Sequence, residues 1–353
     1  MKNFFIILIA IIVGVVGGYF AWKYLARSNF SIGKTEKVTA ENYKEPFMWG
    51  VTMRPTGLGK YIDEIWLGQI ALATNLGVKW ARLSWSYDAP DQFKYHDEII
   101  NYLKKAGLDT YLVIEPSTKF EDVKDPYKDG YDNAYRIASH YKGQIKYYQI
   151  MNEASGNAIK GGQFSGEKDE DYDPGKYERT RDWIKGASAG VHKADPAAYR
   201  VVTSQWLHVG FLDKLQKDGI DYDIIGWDWF SDMGLMGDKT LTNGSLLIDK
   251  LKSFDKPLIL AEINYRPEGD RGQKGQPEKK QADYIPKMAD WTVSAGLKGF
   301  LVLELLDSPN SGKGYTDYYG IVQVEQKKSG TWVPGEPRAA FDTYKEIIAK
   351  YTQ

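Results

Sequence analysis

From about Glu45 to the C-terminus, short apolar runs alternate with longer amphipathic stretches. A run of four to eight apolar and β-branched residues reads as a strand covered on both faces, whereas apolar positions recurring every three to four residues mark a helix with one buried side. The pattern predicts strands at FMWGVTM (47–53), VKWARLSW (78–85), TYLVIEP (110–116), IKYYQIMNE (145–153), RVVTSQW (200–206), DIIGWDWF (223–230), PLILAEINY (257–265) and KGFLVLEL (298–305). Between them lie helical patterns such as YIDEIWLGQIALATNLG, HDEIINYLKKAG and ADYIPKMADWTVSAG, which end at a glycine shortly before a strand, as a helix C-cap should. AFDTYKEIIAKYTQ is expected as a closing helix.

Eight strands, each followed by a helix, predict one closed (β/α)8 TIM barrel, a fold that typically takes about 250 residues plus insertions. A doubly wound open sheet uses fewer strands and often a GxGxxG turn, which is missing here. Two connections are long, Gly156 to Lys176 and Arg266 to Gln281, and both leave C-terminal strand ends, where barrel enzymes build their sites. The first carries Asp169, Asp171 and Asp173 in the 1-3-5 rhythm of a calcium loop, but Pro174 stands where such a loop needs glycine and no acid closes it. A solvated acidic loop is the expectation.

Ahead of the barrel, Phe4 to Trp22 is almost uninterruptedly apolar, close to the ~20 residues that cross a bilayer. No small-x-small cleavage site follows it, so residues 1–27 are expected to form an uncleaved transmembrane signal anchor, 28–44 a polar linker, and 45–353 the barrel. The flanking positive charges slightly favour a cytoplasmic barrel; the chemistry below favours the extracytoplasmic side.

With 46 basic and 47 acidic residues the chain has a net charge of −1 and no global field to attract nucleic acid. The absence of cysteine excludes disulfides, Cys-ligated metals and Cys nucleophiles, and the four histidines lack HxxxH or HxH spacing, so neither a zinc site nor any cofactor is expected. Aromatic residues reach 14 %, with 11 Trp and 25 Tyr. Flat rings with a polar handle suit sugar faces, although most of them must serve packing.

The chemistry concentrates at two strand ends. YYQIMNEAS stops at Asn152 and Glu153, and PLILAEINY ends near Glu262. Strands four and seven of a barrel face each other across its mouth. Two acids placed there form the pair that glycoside hydrolysis requires, one protonating the leaving oxygen and the other attacking the anomeric carbon or activating water.

On these motifs the chain resembles the clan A retaining glycoside hydrolases, which include family 5 cellulases and mannanases and family 53 galactanases. The resemblance implies that Glu153 is the acid/base, that Asn152 hydrogen-bonds the sugar 2-hydroxyl, and that Glu262 is the nucleophile. Arg82, in VKWARLSW, matches the arginine that these enzymes carry near the nucleophile. Strand six departs from the family: where many members place a tyrosine beside the nucleophile, this chain reads Trp227, Asp228, Trp229, Phe230. Tyr265 either substitutes for it or packs in the adjoining loop. The strand-eight tryptophan platform is absent, its place taken by Glu304 and Asp307. Trp206, His208, Trp229, Trp49 and Trp85 are candidates to line sugar subsites, and Glu115 either binds a sugar hydroxyl or pairs with Arg82. The expected function is a retaining β-glycosidase, endo-acting on a carbohydrate polymer or oligosaccharide; the alternative is a catalytically silent glycan-binding barrel.

Overall fold

The computed structural model describes residues 37–54, 62–87, 91–266, 278–308, 318–328 and 332–352. The expected anchor lies outside the described residues, among which no helix is long and apolar enough to cross a membrane. Strands β1 (Met48–Thr52), β2 (Trp80–Ser84), β3 (Asp109–Ile114), β4 (Tyr147–Ile150), β5 (Tyr199–Gln205), β6 (Ile224–Phe230), β7 (Leu258–Asn264) and β8 (Gly299–Val302) pair in chain order, and β8 returns to β1. All eight pairings are parallel and the barrel is closed.

Strand alternation sorts the side chains into two layers. Met48, Tyr111, Val113, Tyr147, Val201, Ile224, Ile259, Ala261 and Leu301 fill the barrel. Their neighbours along each strand, among them Val51, Leu112, Ile150, Val202, Trp227, Leu260 and Phe300, meet the helices outside. The helices are α1 (Ile62–Leu76), α2 (Gln92–Lys105), α3 (Pro126–His140), α4 (Ala154–Ala158), α5 (Pro174–Ala194), α6 (Val209–Lys217), α7 (Leu247–Lys252), α8 (Glu278–Ser294) and α9 (Ala339–Thr352). Asp91, Asp125 and Asp173 cap α2, α3 and α5 by accepting the backbone N–H three residues on. Helices α3 and α5 approach so closely that a Cβ on Gly186 would fall 2.0 Å from the Tyr127 carbonyl oxygen.

Three details differ from the sequence expectations. The end of the expected linker is packed: Val38 and Tyr43 join the inner barrel cluster, and the Tyr43 and Tyr147 hydroxyls are 2.7 Å apart. An antiparallel hairpin, β9 (Val322–Gln326) with β10 (Trp332–Pro337), lies between β8 and α9. The loop after β4 is knitted together: Asp171 accepts from the Lys168 amide and Ser165, Asp173 caps α5, and Asp169 pairs with Lys214. Each aspartate thus has its own structural partner.

Candidate active site

Strand β4 stops at Ile150, three residues before the expected end, because the backbone turns left-handed. Met151 has φ +61° and Glu153 φ +42°, ψ +44°. Non-glycine residues in this region cost on the order of 1 kcal/mol or more each and persist where surrounding bonds hold them. Here the ends of β3, β4 and β5 do so. Met151 N–H donates to the Ile114 carbonyl (2.9 Å), Asn152 N–H to Glu115 Oε1 (2.9 Å) and Glu153 N–H to Thr203 Oγ1 (3.0 Å), which in turn donates to the Met151 carbonyl (3.1 Å). Glu115 therefore serves the turn that presents Asn152 and Glu153.

Glu262 reaches the same space through a β-bulge. The β6–β7 register passes from Trp227↔Leu260 to Asp228↔Glu262, so Ala261 and Glu262 follow each other on the inward side before Ile263 returns to the outer layer. Arg82, buried on β2, meets Glu262 Oε1 at 2.8 Å through Nη1. Its Nε donates to Gln149 Oε1 (3.0 Å) and its Nη2 to Asn152 Oδ1 (2.7 Å). Gln149 Nε2 also donates to Asn152 Oδ1 (2.8 Å) and to Thr203 (3.1 Å). Oδ1 is committed to two donors, and the N–H groups of the Asn152 amide meet no acceptor among the described residues, which suits them to a ligand hydroxyl.

One carboxylate oxygen from each of Glu153, Asp228 and Glu262 lies within 4.8 Å of the other two. Burial, followed by the charge of Glu262, raises Glu153 to about 7 against the opposing influence of Arg266 and Arg82. Glu115 is also raised to about 7, by burial, although the Asn152 N–H and Arg82 act the other way. Asp228 is pushed well above the usual carboxylate range by burial and by the charges of Glu262 and Glu153. Three acids at this spacing meet the distance requirement for a shared cation, but the guanidinium already bonded to Glu262 supplies positive charge at that point. The arrangement offers a proton on Glu153 facing an ion-paired carboxylate on Glu262, which is the chemistry of an acid and a nucleophile.

The other sequence candidates have surroundings of their own. Trp229 is fully buried, donates to the Gly234 carbonyl (2.9 Å) and stacks at 5.9 Å on Trp206, so it has no open ring face. Trp206 is half-buried, with Lys239 Nζ 4.4 Å from its ring centroid. His208 is buried, shares a 2.9 Å hydrogen bond with Ser155, and is lowered to about 4 by burial, hence neutral. Tyr265 is buried and meets Tyr284 of α8 edge-on at 6.3 Å. Trp49 packs against Phe300 and Tyr344, and Trp85 stacks at 4.0 Å on His96, both in the layer between barrel and helices. Trp85 also lines a surface pocket with Ser84, Tyr87 and Pro116 beyond β2 and β3. Glu304 is paired with Arg54 and accepts from Ser308 (3.2 Å), while Asp307 is bonded to Arg338 at 2.6 Å.

Sequence reasoning missed Gln149, Thr203 and Asp228. Strand alternation was the available signal: a polar residue on the inward side of a strand that otherwise reads as apolar throughout.

No family model matches the chain, and no curated relative does. Solved structures do resemble it. The β-glucosidase from Thermotoga maritima in complex with cyclophellitol superposes with a TM-score of 0.63 at 13% identity, covering 87% of this chain and 98% of that one. The same enzyme in complex with azafagomine gives 0.64 at 13% identity with the same coverage. The family 1 β-glucosidase from Thermotoga maritima gives 0.63, again at 13% and the same coverage. At that identity the likeness is one of fold: the chain shares the barrel of these β-glucosidases.

Proposed function

We propose that this protein is a retaining β-glycoside hydrolase acting on an oligosaccharide or polysaccharide by double displacement. The observation that carries the proposal is the proximity of Glu153 and Glu262, which bring one carboxylate oxygen each to within 4.8 Å of the other. Retaining enzymes hold their two carboxyl groups about 5–5.5 Å apart, whereas inverting enzymes leave roughly 6.5–9.5 Å for a water between them. The likeness in fold to β-glucosidases supports the same class of chemistry.

In the first step a Glu262 oxygen attacks the anomeric carbon, the bond from that carbon to the leaving oxygen breaks, and Glu153 gives its proton to the departing group. Water then attacks the same carbon, Glu153 takes the proton back, and the ester to Glu262 breaks. Asn152 is assigned to the sugar 2-hydroxyl. An endo mode is part of the proposal, as is tethering of the barrel outside the cytoplasm by Phe4 to Trp22, which rests on the length of that apolar run.

The test is sugar release by the fragment from Lys37 onward across a panel of β-glucans, mannans, galactans and xylans. Oligosaccharides as early products support endo action, and monosaccharide alone overturns it. Glycan binding without hydrolysis on every substrate would mark the barrel as a silent binder. Retention of the full chain in alkali-washed membranes tests the tether.

A further inference from the structure

Asp228 lies on the inner side of β6 in register with Glu262, and its carboxylate is within 4.8 Å of those of Glu262 and Glu153. It is completely buried, and among the described residues neither of its oxygens has a hydrogen bond of normal geometry, the donor that acts on it being the Glu262 backbone N–H. An ionised carboxylate taken from water without donors is strongly disfavoured, and buried acids so placed take up a proton instead. Arg82 acts on it only through its charge and gives it no hydrogen bond, because the guanidinium nitrogens are directed at Gln149, Thr52, Asn152 and Glu262. The other groups that face this space are acids or a phenol: Glu153 beyond β4, Glu115 beyond β3, and Tyr111 on β3, whose hydroxyl also lacks a partner. Arg266, beyond β7, is bonded to Tyr319 and Asp232.

We propose that Asp228 is a neutral carboxylic acid that donates a hydrogen bond to the Glu262 carboxylate and thereby positions the attacking oxygen. This assignment deepens the proposed hydrolase reading and rests on it. Asp228 is a positioning residue: it acts on the sugar only through Glu262. Burial and then the charges of Glu262 and Glu153 hold its proton in place, with Arg82 and the Glu262 backbone N–H opposing. A charge-assisted hydrogen bond is roughly twice as strong as one between neutral groups. Its contribution therefore changes along the reaction. When Glu262 becomes an ester its charge is gone and the bond weakens; as the ester breaks the charge returns and the bond strengthens. The proton stays on Asp228 throughout, and its largest kinetic effect falls on the second step, where Glu262 is the leaving group.

Two measurements test this. With a 2,4-dinitrophenyl β-glycoside, whose first step is fast, Asp228→Ala is expected to lower kcat by about 100-fold, the usual effect of losing one preorganised donor. KM should fall with it, because the glycosyl-enzyme accumulates, and kcat/KM should fall much less. Asp228→Asn keeps a neutral donor of the same shape and should recover to within about tenfold of the native kcat. Independently of turnover, the infrared difference between native protein and Asp228→Asn at about pH 8, above the range of Glu153 and Glu115, should show loss of one protonated-carboxyl band. The proposal is overturned if Asn is as damaging as Ala, if no such band is lost, or if chelator abolishes activity and magnesium or calcium restores it, which would mean that the three carboxylates hold an ion. Should the native protein hydrolyse no β-glycoside, the hydrolase reading fails, while the infrared band still decides whether Asp228 carries a proton.

Discussion

Arg82 on β2 and Glu262 on β7 meet at 2.8 Å across the mouth of the barrel, both buried. The same guanidinium holds Gln149 and Asn152, so one side chain fixes the proposed nucleophile and the amide assigned to the sugar. Removing it deprives a buried carboxylate and the Gln149 amide oxygen of this donor and leaves Asn152 Oδ1 with Gln149 alone. Arg82→Ala is expected to destabilise the fold by about 3–5 kcal/mol, the usual cost of breaking a buried pair from one side. Arg82→Lys should fare little better, since an ammonium cannot reproduce the planar fork that reaches four partners. Urea denaturation reads the stability loss. A change under about 1 kcal/mol, the range of exposed pairs, would show that the pair is in effect solvated.

Glu153 owes its raised position first to burial and next to the charge of Glu262. In Glu262→Gln the charge is gone while the burial remains, so Glu153 should titrate below its native position of about 7 and still above an ordinary glutamate. Carbon-13 NMR of labelled glutamate across the titration measures this. No movement of the Glu153 signal would mean that the two groups do not interact. In the native enzyme the protonated acid is lost as pH rises through about 7, so activity on substrates with poor leaving groups should fall there.

All eight strands were legible because a parallel barrel covers both faces of each one, which leaves uninterrupted apolar runs between glycine-capped helices. The hairpin β9–β10 was not, since five of its eleven residues are exposed and WVPGEP carries two prolines and a glycine, which read as turn rather than strand. At the site, Asn152, Glu153 and Glu262 stood out as polar residues ending apolar runs. The bulge at Ala261 and Glu262 was invisible, because nothing in LILAEIN marks where the register slips. Without it Glu262 would share the outward side of Leu260, and Asp228 could not be seen as its neighbour. Tryptophan is a poor guide for a related reason: Trp227 and Trp229 flank Asp228 in sequence and face away from it in space.

Glu115 supports the left-handed turn at the cost of pH-dependent stability. Its folded position of about 7 lies above the unfolded value near 4.5, so between those pH values the folded state binds more protons than the unfolded one. Stability contributed by this group is therefore fully present below the unfolded value and declines as pH rises toward 7, by about 1.4 kcal/mol per unit at most. Glu115→Gln can still accept the Asn152 N–H and does not titrate. Relative to the native protein it should gain on the order of 2 kcal/mol between pH 4.5 and pH 7, read as the difference of two denaturation series. A constant difference across that window would place the titration elsewhere.

The α3–α5 contact depends on the absence of a side chain at Gly186, where a Cβ would sit 2.0 Å from the Tyr127 carbonyl oxygen and 2.8 Å from its carbon. Backbone cannot rotate aside as a side chain can. Gly186→Ala should force the helices apart and destabilise the barrel by about 1–3 kcal/mol, as overpacking does. Among the described residues no ion pair or side-chain hydrogen bond joins helix α5 to Arg82, Glu153 or Glu262, so the kinetic constants of the folded fraction should be close to native. A thermal midpoint unchanged by the substitution would refute the close approach.

The two glutamates are expected to fail differently. Glu262→Ala deletes the proposed nucleophile, so hydrolysis should collapse whatever the leaving group. Glu153→Ala deletes the acid, which typically contributes about 10²–10⁴-fold. An activated aryl glycoside needs no proton on its leaving oxygen, so that part of the loss should be forgiven in the first step, and the glycosyl-enzyme should accumulate because no base then activates water. Azide makes the distinction stereochemical. In Glu153→Ala it attacks the covalent intermediate and should give a β-glycosyl azide of retained configuration. In Glu262→Ala it fills the space of the missing carboxylate, attacks the substrate directly, and should give the inverted α-product. Proton NMR of the first-formed products distinguishes the anomers. Inverted product from the native enzyme, or near-native turnover of an aryl glycoside by Glu262→Ala, would sink the assignment, because a carboxylate pair this close leaves no room for water to act from the opposite face.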